Sequence, residues 1–103
     1  MKQNWIQQFG DKKIQHRAII NNDLRRALSE ALEEIYLFVD DLDIDYELEA
    51  LVTDSKENMI RIRINYLHED DRDLIWDRAA QTVAEQSSKW DVDILCGIKR
   101  LRK

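Results

Sequence analysis

From Lys12 to Ile20 apolar and polar positions alternate. Ile14, His16, Ala18 and Ile20 share one parity, and Lys13, Gln15, Arg17 and Ile19 the other, a period of two with β-branched content that predicts a first strand. Asn21 and Asn22 then offer a helix N-cap, and Asp23 places negative charge in the first turn. Leu24, Leu28, Ala31, Leu32, Ile35, Val39 and Leu42 follow at three- and four-residue steps, with Arg26, Glu30, Glu33 and Glu34 off that stripe. This predicts an amphipathic helix that stops near Asp40 and Asp41, whose charge opposes the helix dipole.

The period then returns to two. Ile44, Tyr46, Leu48, Ala50 and Val52 face one way and Asp45, Glu47 and Glu49 the other, which predicts a half-buried second strand. Thr53 to Glu57 form a polar turn, and Ile60, Ile62, Ile64 and Tyr66 alternate with Arg61, Arg63 and Asn65 in a third strand. The expected hairpin pairs Ala50 with Ile60, Leu48 with Ile62 and Tyr46 with Ile64, and sets Glu49 opposite Arg61 and Glu47 opposite Arg63. Glu69, Asp70, Asp71 and Asp73 load the start of a second helix, whose inner face is expected to hold Ile75, Trp76, Ala79, Ala80 and Val83. Val92, Ile94, Cys96 and Ile98 predict a last strand that runs into the basic stretch Lys99 to Lys103, with Gly97 inside it.

The expected order is β-α-β-β-α-β, the split βαβ or ferredoxin-like pattern: a four-stranded antiparallel sheet with two helices on one face. Residues 12–103 form a single α+β domain in this reading. Residues 1–11, with Trp5, Ile6 and Phe9 at helical spacing before Gly10, form an N-terminal arm or short helix. In the usual strand order of that fold, 4-1-3-2, the acidic second strand and the basic fourth strand occupy opposite edges.

Composition narrows the function classes. The chain has 103 residues, 36% of them charged, and a net charge of −5, which argues against a surface that grips nucleic acid or anionic lipid over its whole extent. At 44% apolar it has enough to bury one core. No apolar run reaches the roughly 20 residues of a membrane span and the N-terminus lacks a signal-peptide core, so a cytoplasmic location is expected. Cys96 is the single cysteine, and its apolar neighbours suggest a buried thiol.

Asp40, Asp41, Asp43, Asp45, Glu47 and Glu49 form the densest acidic stretch. An EF-hand reading of Asp41, Asp43 and Asp45 fails, because Tyr46 and Val52 stand where glycine and glutamate are needed, so no metal is expected. Neither His16, assigned inward on strand one, nor His68, in a loop, has a ligand or nucleophile at a telling spacing. Phosphate loops, nucleophile elbows and paired cysteines are absent, so neither catalysis nor a cofactor is expected.

These features predict a small acidic protein-binding module, such as an inhibitor, immunity protein or antitoxin. Its six acidic residues at 40–49 would occupy a basic surface on a partner protein. Two alternatives stand behind it. One is a homo-oligomeric assembly subunit, a homodimer at its simplest. The other is a nucleic-acid binder using Arg17, Arg61, Arg63 and Lys99 to Lys103, weakened by the lack of aromatics for base stacking. No membrane partner is expected.

Overall fold

The computed structural model describes Gly10, residues 12–41, 49–54 and 60–101, the stretch 49–54 through its backbone alone. Its first difference from expectation lies at Lys12–Ile20, which is a helix, α1, and not a strand. Ile14 and Ala18 are its buried residues, one helical turn apart, and that spacing satisfies a period of 3.6 as well as a period of two. His16 decides between them: it is exposed, although strand parity would have turned it inward. Ile19 and Ile20, whose β-branching favoured a strand, are also exposed, Ile19 at 81%.

Asn21 separates α1 from the long helix α2, Asn22–Asp41. The Leu24 backbone N–H donates to Asn21 Oδ1 at 3.1 Å, so the expected cap forms and satisfies one of the first turn's free donors. The buried face of α2 holds Leu24, Ala27, Leu28, Ala31, Leu32, Ile35, Phe38 and Val39, the expected stripe widened by Ala27 and Phe38. Leu42 lies outside the described residues.

Strands β1, Glu49–Asp54, and β2, Ile60–Tyr66, form an antiparallel hairpin. Its register differs from the expected one by four residues: Ala50 pairs with Ile64, Val52 with Ile62 and Asp54 with Ile60. The connection is therefore 55–59, where the expected pairing closed on 53–57; both are five residues long. An even slip keeps every residue on its own face, which is why apolar alternation alone does not distinguish the two registers. The expected charge pairs do not form at these positions, since Arg61 lies opposite Thr53, Arg63 opposite Leu51 and Glu49 opposite Asn65.

A 3-10 turn at Glu69–Asp71 leads into helix α3, Arg72–Trp90. Its buried residues are Ile75, Ala79, Thr82, Val83 and Gln86. Trp76, expected inside, is largely exposed, because the buried stripe turns toward Thr82 and Gln86. The helix ends at Asp91, which adopts the left-handed conformation (φ 53°, ψ 50°), and the Val92 N–H closes the turn onto the Ser87 carbonyl at 3.0 Å. Trp90 Nε1 donates to Gln86 Oε1 at 3.1 Å, and Lys89 pairs with Glu30 at 3.2 Å, fastening the end of α3 to α2.

The last strand, β3, Ile94–Arg100, runs parallel to β2, with Ile60 beside Ile94 and Ile64 beside Ile98. The sheet is thus three-stranded and mixed, in the order β1-β2-β3. The antiparallel four-stranded ferredoxin-like fold is overturned, and the element order is α-α-β-β-α-β. One cause accounts for both changes. In the expected order 4-1-3-2, strands four and three share a direction and are separated only by strand one. With that segment helical, the last strand pairs directly with the hairpin, and α3 becomes the crossover that parallel pairing requires. Ile60, Ile62, Ile64 and Ile94 pack with Leu28, Leu32, Ile35 and Ile75 in one core, to which α1 adds Ile14 and Ala18.

Candidate functional site

Where α2 and α3 diverge, Glu34, Leu37, Phe38 and Asp41 of α2 and Arg78 and Thr82 of α3 line an open groove of about 420 Å³. Phe38 and Thr82 are buried in its floor. The Arg78 guanidinium sits 5.4 Å from the Phe38 ring centroid, close enough for a cation–π contact that covers one side of the ring. Leu37 stands at the mouth, 63% exposed. Glu34 and Asp41 are exposed, and no ion-pair partner for either occurs among the described residues. The groove therefore combines an apolar wall with two carboxylates against one guanidinium, a net negative lining.

Asp40 and Asp41, both expected to contact a partner, lie on the last turn of α2, and Asp41 belongs to the groove itself. Their charge adds to the negative end of the helix dipole there. Asp43, Asp45 and Glu47 lie outside the described residues. Glu49 opens β1, an edge strand of the sheet. Sequence reasoning missed Glu34, Leu37, Phe38, Arg78 and Thr82. Leu37 carried a signal: it is a large apolar side chain off the helix's buried stripe.

The outer positions of β2 and β3 have the opposite charge. Strands β2 and β3 carry Arg61, Arg63, Lys99 and Arg100 and no acidic residue. Arg100 sits on the inward parity at the sheet end and pairs with Glu69 at 3.5 Å. Arg17, grouped with these residues by sequence, lies on helix α1 and not on a strand of the sheet. Asn65 shares the outer parity and is only 5% exposed, with Oδ1 lacking any hydrogen-bond partner; Arg63 Nε is likewise buried and unpartnered. A buried polar atom left unpaired costs about 1–3 kcal/mol.

Cys96 is half-buried against the core, and burial pushes its thiol up to about 11. At neutral pH it is protonated and a poor nucleophile. His68 precedes the 3-10 turn and is exposed. Among the described residues no three His, Cys, Asp or Glu side chains converge, and no helix is long and apolar enough to cross a membrane. No family model, curated protein or solved structure matches the chain.

Proposed function

We propose that the chain is a non-catalytic protein-binding module that docks a basic, partly apolar segment of another protein in the groove between α2 and α3. The observation that carries this reading is the exposed Leu37 set between the unpaired carboxylates of Glu34 and Asp41. The apolar side chain supplies desolvation energy. The carboxylates select and steer Lys or Arg, raising the association rate more than the final affinity. Asp40, on the same last turn of α2 as Asp41, adds to this negative field. Such a protein acts by occupancy, as inhibitors, immunity proteins and antitoxins do.

The test is kinetic, with a lysine- and leucine-rich amphipathic peptide as the probe. Asp40→Asn with Asp41→Asn is expected to slow association several-fold at low salt and much less at high salt, where exposed charges are screened. Leu37→Ser is expected to speed dissociation at both. Binding that responds to neither change refutes the reading.

A further inference from the structure

Arg61, Arg63 and Lys99 project on the outer parity of β2 and β3, alternate with no carboxylate on those strands, and have no ion-pair partner among the described residues. Arg100, by contrast, is paired with Glu69. Gly97 sets their arrangement. It lies opposite Arg63 in the register, and a Cβ built on it would stand 3.1 Å from Arg61 Cδ and 3.7 Å from Arg61 Nε. The Arg61 stem therefore leans along the sheet across the bare backbone of Gly97, toward the level of Arg63. Arg61 and Arg63 thus stand two positions apart on β2, and Lys99 lies on β3 opposite Asn65. Positions two apart on a strand are about 6.6 Å apart and neighbouring strands about 4.8 Å, so the three cations form one patch across two strands.

We propose that this face binds a single nucleic-acid strand through its phosphodiester backbone. A patch of unpaired cations on a sheet face suits the phosphates of a single strand laid across it, whereas a duplex groove admits a protruding helix or ribbon. No aromatic side chain stands on the described outer positions of β2 or β3, so bases are not read by stacking there. This surface is separate from the α2–α3 groove, and its binding does not depend on the protein-docking reading.

The experiment measures binding of fluorescent single-stranded RNA and DNA of one mixed sequence, across salt. Three phosphate contacts predict a slope of about −2 in log affinity against log salt for RNA. Arg61→Gln with Lys99→Gln should lower RNA affinity at least tenfold and flatten the slope to below about −1, because one contact of three remains. Gly97→Ala, which keeps every charge but displaces the Arg61 stem, should weaken binding several-fold. Lys12→Gln with Lys13→Gln, equal in charge lost but placed on α1, should leave affinity within twofold. Circular dichroism confirms that each variant is folded. Absence of binding at low salt, equal loss in the α1 variant, indifference to the Arg61 and Lys99 changes, or binding of anionic lipid vesicles in preference to RNA would each overturn the proposal.

Discussion

At the level of single residues, three positions carry measurable consequences. Asp91 holds the left-handed turn that ends α3, a conformation that favours glycine, and the sequence there offered no glycine to announce it. Asp91→Gly is expected to raise stability by about 0.5–1 kcal/mol, read from denaturant midpoints; a loss would mean that the aspartate side chain contributes more than its backbone costs. Asn21→Ala removes the acceptor that caps α2 and should cost about 1 kcal/mol. Cys96 concerns pH. Its folded thiol titrates near 11, above the ordinary 9.0, so the folded state keeps its proton where the unfolded chain has lost it. The resulting contribution is complete below pH 9 and disappears as pH rises through 11. The midpoint of the parent should therefore fall between these values more steeply than that of Cys96→Val, and parallel curves would show that the thiol is not linked to unfolding.

At the level of elements, α2, α3 and the hairpin were legible because each repeats its period over enough residues to exclude the other period. The segment 12–20 was not. Only Ile14 and Ala18 are buried in it, and a four-residue separation fits a helix and a strand equally. Lys12, Lys13, Gln15, Arg17 and Ala18 are good helix formers, while the misleading Ile19 and Ile20 face water. The hairpin register was ambiguous for another reason, since a slip of four preserves both faces and both alternatives close on a five-residue connection, 53–57 or 55–59. The site was legible only in part: Asp40 and Asp41 were found by charge, but the groove beside them needs α3, which sequence could not orient. Two consequences follow for packing. Leu28→Ala and Ile62→Ala truncate fully buried side chains at the junction of helix and sheet and should each cost about 2–5 kcal/mol in chemical denaturation. With Leu51 and not Glu47 opposite Arg63, a double-mutant cycle between Glu47 and Arg63 should show no cross-strand coupling, and a coupling above about 0.5 kcal/mol would argue for the slipped register.

Over the whole molecule, charge is sorted by layer. The outer faces of β2 and β3 are basic, and the end of α2 is acidic, so the net charge of −5 conceals two opposite fields. A basic partner is drawn toward the helices and an anionic one toward the sheet. Because the two fields lie on different layers, a ligand for one has no need to compete with a ligand for the other. The most direct measurement is an amide chemical-shift titration of the intact chain with the lysine- and leucine-rich peptide at low salt. Docking between α2 and α3 predicts that the resonances of Glu34, Leu37, Phe38, Asp41, Arg78 and Thr82 move and saturate together while those of Arg61, Arg63 and Lys99 stay in place. Shifts confined to the sheet, or small shifts spread over every acidic residue without saturation, would contradict it.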